Sequence, residues 1–276
     1  MDALRQIDSW GAPHAAAAVV RAGGVLARHG DAAHVFRWAS ITKLLTAYAL
    51  LVAVEEGALD LDGPAGPEGS TVRHLAAHAS GLPFEVGGVP VSRPGRRRIY
   101  SNGGYVQLAQ AIERATEIPF AQYLRDAVTA PLGMRGGLRD DSRGAAAAGY
   151  HGDLADLAAF ARELLAPTLL AEETLAEATA VQFPGLGGVL PDFGRWEPND
   201  WGIGFELRGG KQPHWTGARN SPRTYGHFGG SGTFLWVDPE AELALAVLTD
   251  REFDEWALEA WPRLSDAVLT EAGQAA

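Results

Sequence analysis

Strand-forming patterns lie only toward the two ends of this 276-residue chain, and that placement constrains the fold more than any other feature. At one end, residues 15–21 (AAAAVVR) and 25–29 (VLARH) flank an Ala-Gly-Gly turn, and a third extended piece, HVFRW, follows at 34–38, reading as a small antiparallel start. At the other end, WGIGFEL (201–207), TFLWV (233–237) and LALAVLT (243–249) are strand-like, the last two joined by the turn DPEAE. Between them, residues 71–78, 103–116, 119–129, 153–166 and 172–180 read as helices joined by Gly/Pro loops, with no strand pair interrupting, and a helix over about 253–270 closes the chain. A sheet of useful size must therefore join both ends. The layout predicts an α+β fold, an antiparallel sheet flanked by helices with a helical insertion and the active site in the cleft between them. Residues 1–57 and 181–276 form the sheet region and 58–180 the helical region of one interlocked catalytic unit. Residues 184–200 (PGLGGVLPDFGRWEPND) carry no periodicity and read as a functional loop or lid.

Composition removes whole classes of function. Thirty-four acids against 23 bases give a net charge of −11 with no long basic run, which repels a phosphate backbone and argues against nucleic-acid binding. The absence of cysteine excludes disulfides, thiolate catalysis and cysteine-held metals. The acid at Asp2 and the short Ala-rich run after it suit neither a signal peptide nor a membrane span, so the expectation is a cytoplasmic protein with no membrane partner.

Positive charge is carried by arginine almost everywhere, with 21 arginines and two lysines. One of the two lies in RWASITKLLT (37–46), where the apolar residues 41, 44, 45, 48, 51 and 52 fall at helical spacing and Gly57 supplies the stop. Ser40 and Lys43, three apart at the helix entry, share one face. A serine hydroxyl needs a base to become a nucleophile, and a desolvated lysine can shed its proton where an arginine cannot. A helix start adds free N–H groups and a positive dipole end suited to a developing oxyanion. Ten serines and two lysines make a chance Ser-x-x-Lys pair rare, roughly 0.07 expected per chain of this length. The plain alternative is a helix cap beside a lysine that reaches water.

Two further stretches can join this pair. RRIYSNGGY places Tyr100, a second proton-handling group, two residues before Asn102, an amide able to bond both a lysine and a substrate carbonyl. GHFGGSGTF (226–234) puts His227 and the glycines Gly229 and Gly230 at a strand entry, where backbone N–H groups can approach a ligand.

With Ser40-x-x-Lys43, Tyr100-x-Asn102 and His227-x-Gly229 in this order, the chain resembles the penicillin-binding-protein-like serine hydrolases, a group that includes class C β-lactamases, related esterases and D-amino-acid peptidases. FRWASITKLLTA, TVRHLAAHASGLP and PFAQYLRDAVTAPLGM extend the likeness across residues 36–249. The resemblance implies acylation of Ser40, base and acid duty shared by Lys43 and Tyr100, orientation by Asn102, and an oxyanion hole from the N–H groups of Ser40 and Gly230, with no cofactor and no metal. His227 stands where the β-lactamases usually carry a lysine, and Phe228 where a small hydroxyl residue is common. A mostly neutral histidine anchors a carboxylate poorly, which favours small ester or amide substrates of low charge. The expectation is an esterase of small acyl substrates, with a β-lactamase or D-amino-acid peptidase as the alternative and a catalytically silent sensor of the same fold as the non-enzymatic one.

Other residues are read more plainly. His74 and His78 have a zinc-compatible i, i+4 spacing but no third ligand, which favours a structural role before the SGLP turn. RPGRRR (93–98) reads as a solvated turn, or as an arginine source that favours a Tyr100 phenolate. One or two of Trp196, Trp201, Trp215 and Trp236 are expected in an acyl pocket, and Ser231 lacks the spacing of a nucleophile elbow.

Overall fold

A computed structural model describes residues 1–139 and 144–274. After a 3-10 helix at Asp2–Ser9, β1 (Ala15–Arg21) and β2 (Gly24–Gly30) form the expected hairpin. The third extended piece does not continue it. Phe36–Arg37 (β3) turns away before a 3-10 turn at Ala39–Ile41 and the long helix α1 (Thr42–Glu55). Helices α2 (Val72–Ala76), α3 (Asn102–Thr116) and α4 (Phe120–Leu124) follow, the last running into a π-helical turn at Arg125–Thr129.

A strand pair does interrupt the helical stretch, contrary to the sequence reading. β4 (Gly137–Leu138) and β5 (Tyr150–Gly152) join β3 in a separate three-stranded sheet, with the short helix α5 (Ala145–Ala148) between them. Strands of two or three residues containing glycine leave too little pattern to recognise. Helices α6 (Leu154–Leu165) and α7 (Glu172–Ala178) come next. The stretch 184–200 holds a small hairpin, β6 (Gly188–Leu190) and β7 (Gly194–Trp196).

The main sheet is completed by β8 (Glu206–Leu207), β9 (Tyr225–Gly229), β10 (Thr233–Asp238) and β11 (Leu243–Thr249), before the closing helix α8 (Glu255–Gln274). Its order is β2-β1-β11-β10-β9-β8, antiparallel throughout, and the two ends of the chain meet at β1 and β11, from Ala15 opposite Thr249 to Val20 opposite Ala244. Of the predicted 201–207 strand only the last two residues pair as one. Gly204 explains the break, because a Cβ there would lie 2.1 Å from Ala47 Cβ, so the chain instead runs close against α1.

Both sheet faces are buried. Ala16, Ala18, Val20, Leu235, Ala244, Ala246 and Leu248 point to one core with α1, α3 and α6, while Ala17, Val19, Trp236, Leu245 and Val247 point to another with the 3-10 helix and α8. Successive strand residues face opposite sides, so two cores require apolar residues at every position, which is why these strands read as unbroken apolar runs. Helix α1 is buried at every position from Thr42 to Ala53, as suits a helix lying between layers, and the 3-10 turn that leads into it packs against β9 and β10. No described helix is long and apolar enough to cross a membrane.

Candidate active site

Three segments converge at the start of α1. Ser40 lies in the 3-10 turn that enters the helix, following Ala39, whose φ of 47° is in the left-handed region. An alanine there costs about 1–2 kcal/mol, which the surroundings must offset. Gly229 on β9 belongs to those surroundings, since a Cβ on it would fall 2.4 Å from the Trp38 carbonyl and 3.1 Å from Ala39 Cβ. Gly229 thus serves the close fit of β9 against the serine turn, while a Cβ on Gly230 would meet nothing within 4 Å, at the open side of the cleft.

The second segment is the entry to α3. Ser101 caps that helix by accepting from Gly104 N–H at 3.0 Å, donates its hydroxyl to the Pro83 carbonyl at 2.6 Å, and donates its backbone N–H to His78 Nδ1 at 3.1 Å. Asn102 N–H donates to the Phe84 carbonyl at 3.0 Å. Tyr100 and Asn102 are therefore held on either side of a fully bonded residue.

Lys43 Nζ is buried and lies 2.7 Å from Asn102 Oδ1, 3.0 Å from the Ala147 carbonyl and 3.1 Å from Ser40 Oγ. Burial pushes its pKa well below the ordinary lysine value. A neutral amine has two hydrogens and one lone pair. Asn102 Oδ1 and the Ala147 carbonyl only accept, so they take the two hydrogens and leave the lone pair for the Ser40 hydroxyl. Thr46 Oγ1 donates to the Ala146 carbonyl at 2.6 Å and Thr42 Oγ1 accepts from Tyr150 N–H at 3.1 Å, fastening α5 to α1 and with it the carbonyl that meets Lys43.

Tyr100 sits on the other side, its ring centroid 4.7 Å from Lys43 Nζ. Burial pushes its pKa well above the ordinary tyrosine value, against a smaller opposing effect of Ser40, so the phenol keeps its proton. His227 Nδ1 is 2.6 Å from the Phe228 carbonyl, an acceptor only, so the ring proton sits on Nδ1 and Nε2 accepts from Tyr100 OH at 3.3 Å. Burial, and then the nearby Lys43, bring His227 down to about 3. It is a neutral acceptor.

In the 93–98 run Arg93, Arg96 and Arg97 are exposed, as a solvated turn requires, and Arg98 departs from that reading. Arg98 is buried and donates to the carbonyls of Ala77, Gln182 and Asn199, so it ties three loops together and supports no phenolate. The zinc spacing of His74 and His78 also dissolves. Helix α2 ends at Ala76, His78 has a left-handed φ of 56°, and His74 Nδ1 is engaged in a capping box with Thr71. His78 instead supports the site, its ring 4.5 Å from Tyr100 and edge-on to Trp201 at 4.6 Å.

The cleft in front of Ser40 has a volume of about 130 Å³, enough for only a small group, and Tyr100, Trp201, Phe228 and Leu190 supply much of its wall. Of the four tryptophans weighed from sequence, Trp201 lines it, and Trp215 and Trp236 are core. Ser231 Oγ donates to the Arg37 carbonyl at 2.7 Å. The Ala147 carbonyl, Phe84 and Asp192 escaped the sequence reading: a carbonyl in an alanine run carries no side-chain signal, and the other two lie in loops without periodicity.

Known proteins share this architecture. A solved structure described as a β-lactamase (Mb2281c) of Mycobacterium bovis is 55% identical with a TM-score of 0.95, covering 98% of this chain and 99% of that one. EstCE1, described as a hydrolase with promiscuous acyltransferase activity, is 18% identical with a TM-score of 0.78 over 97% of this chain and 96% of its own, a likeness of fold. Penicillin-binding protein 4* of Bacillus subtilis is 30% identical over 131 residues, 36% of this chain and 29% of that protein. The D-alanyl-D-alanine-carboxypeptidase/endopeptidase AmpH of Escherichia coli K12 is 29% identical over 137 residues, 37% of this chain and 36% of that protein. The aligned segments thus span about a third of the length of these curated relatives. The Beta-lactamase family model matches residues 4–269, nearly the whole chain, and with it this serine hydrolase belongs to the beta-lactamase family.

Proposed function

We propose that the protein is a cofactor-free esterase of small acyl substrates that works through an acyl-enzyme on Ser40. The observation that carries this reading is the bonding of Lys43, whose two neutral acceptors leave a lone pair for Ser40 Oγ at 3.1 Å. Ser40 Oγ attacks the substrate carbonyl carbon while Lys43 Nζ takes its proton, and the oxyanion is met by the N–H groups of Ser40 and Gly230. Tyr100, protonated and beside the serine, gives its proton to the leaving group and recovers one from Lys43. Water then attacks the ester carbonyl by the same route, restoring Ser40.

The volume of about 130 Å³ supports a short acyl group. His227, neutral because its pKa is about 3, supplies no charge for a substrate carboxylate, which favours an ester over a β-lactam or a peptide with a free carboxyl end. A second reading, β-lactam or D-alanyl peptide cleavage, draws on the descriptions of the Mycobacterium bovis and Escherichia coli proteins. Intact-mass analysis of wild type and Ser40→Ala after an activated short-chain ester, a β-lactam and a fluorophosphonate separates them. Rapid acylation and turnover of the ester, slow labelling by the β-lactam and no labelling of Ser40→Ala are expected. Label on Ser40→Ala ends the mechanism, and fast penicillin turnover without esterase activity reverses the order of the substrates.

A further inference from the structure

The cleft mouth carries one charge that the chemistry at Ser40 does not use. Asp192 stands at the tip of the β6–β7 hairpin, exposed, with a left-handed φ of 65°, and lines the same small cleft as Ser40, Phe84 and Tyr100. The turn is fixed in place. Phe193 N–H donates to the Leu190 carbonyl at 3.0 Å, Leu190 is buried, and the Phe193 ring meets Phe228 edge-on at 5.3 Å, next to His227. The hairpin's own arginine, Arg195, is held by Glu197 at 2.7 Å, and no ion pair of the described residues includes Asp192.

Among the described residues, no lysine or arginine lines this cleft. The two other titratable groups in its wall are neutral at pH 7, Tyr100 held protonated and His227 held deprotonated by burial. Asp192 is therefore the one formal charge among the described residues that line the cleft. Beside it lies an aromatic surface, because Phe84 is half exposed and its ring stacks over Tyr100 at a centroid distance of 6.0 Å. A carboxylate next to open aromatic faces is the arrangement that attracts an ammonium or quaternary ammonium group.

We infer that Asp192 and the Phe84 ring select substrates carrying a positive charge, so that the natural ester or amide joins a small acyl group to an ammonium-bearing partner, or carries the ammonium on the acyl part. This rests on the esterase reading, since it names the substrate class of that same site. The same carboxylate repels anionic substrates, adding to the missing cation at position 227.

Asp192→Asn tests this without disturbing the turn, because asparagine accepts the left-handed conformation as readily as aspartate. The probes are the choline ester of butyrate and the neutral isostere in which carbon replaces the quaternary nitrogen. A matching pair of activated esters with the charge on the acyl side distinguishes the two sources of the ammonium. In the wild type at low ionic strength, kcat/KM is expected to favour the cation of one pair by about two- to fivefold. That ratio falls to about one in Asp192→Asn and in high salt, while an ester bearing a carboxylate moves in the opposite direction. Equal use of cation and isostere in both pairs by the wild type, or a ratio untouched by the substitution, overturns the inference and leaves the esterase reading standing. Binding of the same probes to Ser40→Ala, which cannot turn over, keeps the two claims apart. Tighter binding of the cation that is lost in Ser40→Ala/Asp192→Asn supports the ammonium site even if no ester is hydrolysed, and its absence counts against it.

Discussion

Lys43 and Lys211 are the two lysines of the chain, and both are buried. What faces them differs. Lys43 meets an amide oxygen, a peptide carbonyl and a hydroxyl, none of which carries charge. Lys211 meets the carboxylate of Glu206, on which His214 at 3.0 Å and the Trp215 indole N–H at 2.9 Å also converge. Burial alone would raise the Glu206 pKa, but Lys211 and His214 outweigh it and hold the carboxyl well below its usual range. The ion pair fastens the 208–216 loop to the edge strand beside β9. A dry lysine becomes a base where its partners are neutral and a structural cation where one partner is an anion.

The largest effect should come from removing the ability to deprotonate. Lys43→Arg keeps the charge and loses the base, so the rate of Ser40 acylation should fall about 10²- to 10⁴-fold, nearly as far as in Lys43→Ala, when followed by the burst of an activated ester. An active Arg variant would mean that position 43 needs only a cation. Lys211→Met should act on the other axis, leaving a buried carboxylate unpaired at a cost of about 3–5 kcal/mol in urea unfolding, with the folded fraction still acylating. Loss of acylation without loss of stability would contradict the division between the two lysines.

Asn102→Asp converts the first environment into the second, placing an anion where Asn102 Oδ1 now lies 2.7 Å from Nζ. The Lys43 pKa should rise, moving the midpoint of the acylation pH profile upward by about 1–3 units and slowing the reaction at pH 7 accordingly. The smallest effect is a slope. With its folded pKa depressed, Lys43 makes the unfolded chain bind more protons between that value and about 10.5, so stability rises with pH across this window by up to about 1.4 kcal/mol per unit. Unfolding measured from pH 7 to 9.5 should show this slope in the wild type and its loss in Lys43→Met.

The parts of this comparison differ in how well the sequence reveals them. The fold was legible because strands buried on both faces leave continuous apolar runs, and because those runs occurred only toward the two ends. The pair Ser40 and Lys43 was legible because one helical turn ties residues three apart, and Tyr100 and Asn102 because they flank a helix cap. Arg98 was read as solvated from its charged neighbours, although its guanidinium lies among carbonyls contributed from as far away as Gln182 and Asn199. The Ala147 carbonyl, the left-handed His78 and the place of Asp192 at the cleft depend on how distant loops pack. The ion pair of Lys211 with Glu206, five residues apart, could have been guessed from spacing but not its burial.

Because both lysine amino groups lie inside the fold, the exterior of the described protein offers no lysine side chain to a reagent or an enzyme that modifies amines. The permanent positive charge of side chains on that exterior is carried by arginine, whose charge lysine acetylation cannot erase. Side-chain acylation by activated esters should therefore report on Ser40 with little background, a convenience for labelling that follows from where two residues are buried.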